Sequence, residues 1–309
     1  MVITLTINPS LDKTIEIENF AVNKINRAKN IPVVDPGGKG INVSKVLKKY
    51  GVDTKALGFA GGDTGKVLQE RLEEMGIMYR FIETQESTRV NTKILDIKNN
   101  TLTDINELGA KISSENIKDL KELILQEGAN CSFIVFSGSL AQGVPADIYK
   151  VIMESLPHDC KVLLDTSGQP LHYGVLGNPW FVKPNLEEFW ELTGKQVEEP
   201  YLIAEEARWF LGNGIAHMAI SLGEKGLMYV SETECLLATS PKVDVKSTVG
   251  AGDSVLAAFV IGFLRNQKIE DIVTFATAMG SAAVLEKSTV APNPDIVAQL
   301  MSSIEVINL

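Results

Sequence analysis

Hydrophobic and polar positions recur along this chain with two periods, and the switches between them lay out its elements. Val2-Ile3-Thr4-Leu5-Thr6-Ile7 reads as a buried strand that stops at the turn Asn8-Pro9-Ser10. Ile15-Glu16-Ile17-Glu18 alternates as a strand with one wet face does, and Pro32 confines its neighbour Ile31 to Val34 to a sheet edge. The period then lengthens. Val43, Val46, Leu47 and Tyr50 form one helical stripe that opens at Gly37-Gly38-Lys39-Gly40 and is stopped by Gly51. A strand from Lys55 to Phe59 leads through Gly61-Gly62-Asp63-Thr64-Gly65 into a second helix ending near Gly76.

Residues 78–105 break this βα rhythm. Tyr79 to Ile82, Arg89 to Ile97 and Thr101 to Ile105 read as strands, the last two joined at Asn99-Asn100. With the segment near 12–36, the stretch of about 78–106 predicts a small β-sheet lid inserted in one α/β domain spanning 1–309. Helix 114–127, strand Ser132 to Phe136, a helix begun by Pro145 at its first position, and strand Lys161 to Leu164 restore the alternation. Trp180 to Lys183, a helix at about 201–212, strands at Met218 to Ser221 and Leu227 to Val230, and helices from Ala251, near 269–286 and near 294–303 complete it. The pattern predicts a doubly wound, mainly parallel sheet flanked by helices, with ligands gathered beyond the carboxyl ends of its strands.

Charge narrows the partners. The 309 residues carry a formal charge of −10 and no basic tract, which argues against nucleic acid and anionic membrane. Three widely spaced cysteines (Cys131, Cys160, Cys235) and the absence of a leader-like N-terminus lead us to expect a cytoplasmic protein. His158, His172 and His217 have no metal or triad spacing, and Ser139 lies in no nucleophile elbow.

The candidate chemistry concentrates in Thr248-Val249-Gly250-Ala251-Gly252-Asp253-Ser254, followed by a charge-free run up to Arg265. Two glycines allow a tight turn, and the helix that follows offers unpaired amides and a positive dipole end to an anion. Asp253 beside that seat either only favours the helix start or withdraws a proton from a hydroxyl attacking phosphorus. Gly37-Gly38-Lys39-Gly40 fits neither the Walker nor the dinucleotide pattern, yet it sets a cation at a helix start. Arg89, Asn91 and Lys93 share one strand face, which is either the wet side of the lid or a phosphate grip. In Lys183-Pro184-Asn185-Leu186-Glu187-Glu188, Asn185 and Glu188 have capping-box spacing, and the same pair suits a hydrated Mg²⁺. Ser221-Leu222-Gly223-Glu224-Lys225-Gly226 is a tight connection whose bare backbone admits a phosphate or ribose.

In this order, these motifs resemble the ribokinase-like sugar kinases of the PfkB carbohydrate kinase family over essentially the whole chain. The two signature stretches are Gly37 to Val43 and Thr248 to Ser254. The resemblance implies Asp253 as the base and the amides of Gly250, Ala251 and Gly252 as the anion hole. It assigns Asp12, Gly38 and Asn42 to sugar hydroxyls, and Lys39 and Arg89 to the sugar's own phosphate, with Ser139 and Lys93 nearby. It places Lys183, Asn185, Glu188, Ser221, Gly223, Gly226 and Thr248 around ATP and Mg²⁺, the metal being held by Asn185 and Glu188 through water. Ala141-Gln142 and Gly280-Ser281-Ala282 depart from the family pattern and blur sugar and nucleotide preference. Thr6 to Asp12, Thr88 to Lys93, Asp104 to Glu107 and Ser137 to Leu140 are similar to members acting on the C6 hydroxyl of fructose 1-phosphate. Tagatose-6-phosphate kinases are the competing group. A kinase for a neutral sugar would leave Lys39 and Arg89 without an anion, and a non-catalytic sensor would gain nothing from Asp253. The unpaired edges of the lid make it a candidate homodimer surface.

Overall fold

The computed structural model describes residues 1–129, 131–286 and 289–309. The N-terminal part runs β1 (Val2–Thr6), β2 (Ser10–Ile17), β3 (Val33–Gly37), α1 (Lys39–Lys49), β4 (Thr54–Gly61), α2 (Gly62–Glu74), β5 (Met78–Thr84), β6 (Arg89–Asp96) and β7 (Thr101–Ile105). It continues through α3 (Ser114–Gly128), β8 (Phe133–Ser137), α4 (Ile148–Met153), β9 (Val162–Asp165), α5 (Gly168–Val175), β10 (Phe181–Val182) and α6 (Leu186–Thr193). The last part comprises α7 (Pro200–Leu211), β11 (His217–Ser221), β12 (Leu227–Ser231), β13 (Cys235–Ala238), α8 (Ala251–Leu264), α9 (Ile269–Ala283), α10 (Pro294–Met301) and β14 (Val306–Asn308).

Ten of these strands form one sheet in the order β14-β13-β12-β11-β10-β9-β8-β1-β4-β5. It is parallel from β5 to β11 and antiparallel from β11 to β14. Wholly buried strands such as β8, which opens Phe133-Ile134-Val135-Phe136, read as continuous apolar runs because helices cover both faces. One face packs Ile3, Leu5, Phe136 and Tyr149 with Phe189 and Phe210 of the covering helices. The other packs Val43, Leu47, Phe181, Phe259 and Val273. Ten residues of α8 are buried, which explains why its sequence is apolar around nearly its whole circumference.

The small sheet has the order β3-β2-β6-β7, and a separate cluster of Leu11, Ile41, Ala60, Leu68 and Leu72 lies where it meets α1 and α2. Tyr79 to Ile82, expected in this sheet, instead belongs to β5 at the edge of the large one, in register with Ala56 to Phe59. The βα rhythm therefore persists one unit longer than the sequence pattern suggests. An edge strand alternates wet and dry just as a lid strand does, so periodicity cannot separate the two. The small sheet takes its residues from 10–17, 33–37, 89–96 and 101–105. Pro145 is not the first residue of a helix: Ile148 donates to its carbonyl in a turn, and α4 begins at Ile148. The short elements α5, β13 and β14 carry too little periodicity to be expected from sequence.

Candidate active site

The carboxyl ends of β1, β8, β9 and β10, the N-termini of α1 and α8, and the inner face of the small sheet surround one cleft of about 1330 Å³. Every site residue expected from sequence lines it: Asp12, Gly38, Lys39, Asn42, Arg89, Lys93, Ser139, Lys183, Asn185, Glu188, Ser221, Gly223, Gly226, Thr248, Gly250, Ala251, Gly252 and Asp253.

Gly250 caps α8 with φ of 84°, a left-handed conformation that a Cβ would disfavour. The Ala251 amide makes a long turn bond to Thr248 (3.4 Å), and the first-turn amides after it have no partner within the helix. Asp253 stands in that turn, 4% exposed, and receives the Asn42 side-chain amide on Oδ2 at 2.8 Å. Burial raises its carboxyl pKa to about 6, with Asp165 adding to the rise and Lys39, Asn42 and Lys183 opposing it. The carboxylate is thus ionised at neutral pH yet basic enough to take a proton.

Asp165 completes this centre, and the sequence reading gave it no role. It ends β9, is 1% exposed, and lies 3.3 Å from Lys39 Nζ and 3.5 Å from Lys183 Nζ. Burial opposes its ionisation, but Lys183 and Lys39 together hold its pKa below the usual carboxylate value. In return Asp165 raises the Lys39 pKa, against burial and with help from Asp253 and Glu188. The one local signal was its position, an acid at the carboxyl end of a strand in a doubly wound sheet.

At the other end of the cleft, Asp12 is gripped by Lys93 Nζ at 2.9 Å and by the Ser10 hydroxyl and the Asn91 amide. Burial raises the Asp12 pKa, but Lys93, Ser10 and Asn91 bring it below the ordinary value. Lys93 is therefore tied to Asp12 and is not a free phosphate cation. The Arg89 guanidinium donates to the carbonyls of Glu107 (2.9 Å) and Asn8 (3.0 Å), which fixes its plane at the mouth of the small sheet. The acidic neighbours of Arg89 are Asp12 and Glu107, whereas those of Lys39 are Asp165, Asp253 and Glu188. Each cation thus faces its own set of acids within the one cleft.

Asn185 and Glu188 do form the expected capping box of α6, each side chain bonded to the other's backbone amide at 2.8 Å. The box engages one oxygen of Glu188. Ser221 is bound to the same turn through its amide and the Pro184 carbonyl, so that turn and the Gly223 to Gly226 connection form one wall. Among the described residues, buried side-chain polar atoms without a hydrogen-bond partner belong to Thr6, Asn42, Arg89, Asn91, Ser137, Asp165 and Ser221, the Asp165 oxygen being the one ion-paired to Lys183. Five of these line the cleft, and Ser137 and Asp165 end the strands beneath it. Such atoms are rare in folded proteins, and their collection here marks a surface built for a polar ligand.

Comparisons with known proteins agree with this geometry. The profile of the pfkB family carbohydrate kinases matches residues 6–296. The chain is 37% identical to a 1-phosphofructokinase of Borreliella burgdorferi, covering 93% of this chain and 92% of that protein. It is 33% identical to the 1-phosphofructokinase of Bacillus subtilis over the full length of both. Phosphofructokinase-2 of Escherichia coli, solved in complex with fructose-6-phosphate, superposes with a TM-score of 0.90 at 27% identity, covering 98% of each chain. The chain belongs to the PfkB family of carbohydrate kinases.

Proposed function

We propose that this chain transfers the γ-phosphoryl group of ATP to the C6 hydroxyl of fructose 1-phosphate, giving fructose 1,6-bisphosphate. Relatives that match it end to end are named for that sugar phosphate, which favours it over tagatose 6-phosphate. The observation that carries the reading is Asp253: a buried carboxylate with a pKa of about 6 beside the open N-terminus of α8.

Phosphoryl transfer asks a protein chiefly for alignment and charge neutralisation. Asp253 accepts the proton of the attacking hydroxyl while Asn42 holds the carboxylate in place. The first-turn amides of α8 face the oxygens of the moving group, with Lys39 and Lys183 supplying positive charge from the Asp165 side. Asp12, Ser10 and Asn91 present a hydrogen-bonding row to the sugar hydroxyls, and Arg89 is the cation for the phosphate the sugar already carries. The chemistry of the wall fits a hydrated metal ion: Glu188 keeps an oxygen outside the capping box, and Asn185 is beside it. Glu188 and Asn185 would hold Mg²⁺ through water, and the ion would screen the phosphate charge. Bound phosphates would meet Gly223, Gly226 and Thr248 along the same wall.

The free thiols of Cys131, Cys160 and Cys235 accord with a reducing, cytoplasmic setting. Among the described residues no helix is long and apolar enough to cross a membrane. The loop before β3 exposes Val22, Ile25 and Ile31, and we place self-association of two copies on this side of the small sheet. Sedimentation of a Val22→Lys, Ile25→Lys variant tests that assignment, which requires the variant to sediment as a lighter species. The function itself is tested by ATP consumption over fructose 1-phosphate, fructose 6-phosphate, tagatose 6-phosphate and free fructose. Fructose 1-phosphate should give the highest kcat/KM, and preference for free fructose would overturn the reading.

A further inference from the structure

Lys45 has no part in the chemistry above, yet it is the cation placed most curiously around the site. It lies on α1, and its ammonium donates to the Pro36 carbonyl and to the Thr289 hydroxyl, both at 3.2 Å. Among the described residues no carboxylate comes within ion-pairing distance of it. Holding a half-buried ammonium against neutral oxygens alone is unfavourable, and a methionine of similar length would fill the space without that penalty. Burial accordingly lowers the Lys45 pKa, and Lys93 lowers it too, while Asp35, Asp12 and Asp253 raise it from a distance.

Its two acceptors belong to opposite halves of the site. Pro36 is in β3 of the small sheet, opposite Leu11, next to the pairing of Gly37 with Ser10 in the sugar-facing row. Thr289 packs against the α8 cap: a Cβ on Gly250 would lie 3.4 Å from its methyl carbon. One turn further along α1, Lys49 donates to the Ala291 carbonyl at 2.8 Å, and Tyr50 donates to that of Pro292 at 3.3 Å. This face of α1 thus carries residues 289–292, the segment that backs the Gly250 turn. Lys45 is the member of the row that also reaches the small sheet.

We propose that Lys45 is a positioning residue that couples sugar phosphate binding on the small sheet to the phosphate-facing turn at Gly250. Closure of β2 and β3 on the sugar moves the Pro36 carbonyl, and the ammonium transmits that shift to Thr289 and so to the start of α8. The inference rests on the kinase reading of the cleft. It requires the two substrates to bind with positive coupling that passes through Lys45.

The test is calorimetric titration of a non-hydrolysable ATP analogue with Mg²⁺, with and without saturating fructose 1-phosphate. The intact chain should bind the analogue at least ~5-fold more tightly with the sugar present. Lys45→Met and Thr289→Val should bring that ratio close to one and lower kcat, while Lys45→Arg retains most of the coupling. Thr289→Val keeps the side-chain shape, so it decides the matter if Lys45→Met fails to fold. Turnover of fructose 1-phosphate with an unchanged ratio in folded Thr289→Val, or a ratio of one in the intact chain, overturns the inference alone. Absence of turnover in the intact chain overturns the functional reading and the inference with it.

Discussion

Asn42 on α1 and Asp253 on α8 are joined by a 2.8 Å hydrogen bond although 211 residues separate them in sequence. The bond sets the two helix N-termini of the site against each other and aims a basic carboxylate at the space between them. Replacing Asp253 by Asn keeps the shape and removes the proton acceptor. We expect kcat to fall by at least ~10²-fold, with sugar phosphate affinity largely retained. Steady-state kinetics and equilibrium binding measured on the same preparation separate the two effects.

The raised pKa of Asp253 also makes a stability prediction. Between its ordinary value of 3.8 and about 6 the folded state holds a proton that the unfolded state has released. Stability contributed by the neutral carboxyl is therefore present at low pH and lost as pH rises through that window. At pH 7 the ionised group is a net cost, so Asp253→Asn should melt no lower than the unaltered chain and should flatten this part of the pH dependence. In the unaltered enzyme, kcat/KM should rise with pH through about 6 as the base of the free enzyme becomes charged. Thermal melts from pH 4 to 8 and a profile of kcat/KM against pH check both.

Asp165 works in the opposite direction. Its folded-state pKa is held below the ordinary value, so its contribution is present above that value and lost as pH falls toward the folded pKa. Asp165→Asn leaves Lys39 and Lys183 facing each other with their shared counter-charge gone. Breaking a buried pair from one side costs about 3–5 kcal/mol. Denaturant titration at pH 7 should show a loss of that order. At pH 3 the difference from the unaltered chain should shrink.

The contrast between these two acids shows what a sequence can disclose. Asp253 sits within a glycine turn and an apolar helix, and both are local, so its place at the open end of α8 was legible. The same holds for the Asn185–Glu188 box, whose partners are three residues apart. Asp165 gains its meaning from Lys39, 126 residues earlier, and nothing adjacent in the chain announces that meeting. For the fold, long buried helices such as α8 were plain, while β5 was assigned to the wrong sheet. Alternation reports that one side of a strand is wet, and it does not report which sheet supplies its neighbour.

Arg89 carries the sugar-end assignment. Two of its donors are committed to the Glu107 and Asn8 carbonyls, while its buried Nε has no partner. Arg89→Ala should raise KM for fructose 1-phosphate by ~10-fold or more and leave KM for ATP nearly unchanged. Arg89→Lys should recover little, because an ammonium cannot hold two carbonyls and a phosphate in one plane. An unchanged KM in the alanine variant would remove Arg89 from the phosphate site.

Gly250 tests the phosphate-facing turn without touching a charged group. Its φ of 84° puts it in the left-handed region, where an added methyl is strained even though it would meet Thr289 only at an ordinary contact distance of 3.4 Å. Gly250→Ala should therefore cost about 1–2 kcal/mol of stability. If the turn relaxes to relieve that strain, the first amides of α8 rotate away from the transferring group. The loss should then appear mainly in kcat, by at least ~10-fold, since an amide aimed at developing charge acts chiefly in the transition state. Melting curves measure the first effect and single-turnover kinetics the second. A variant that is less stable yet turns over normally would show that the turn supports the helix without contributing to phosphoryl transfer.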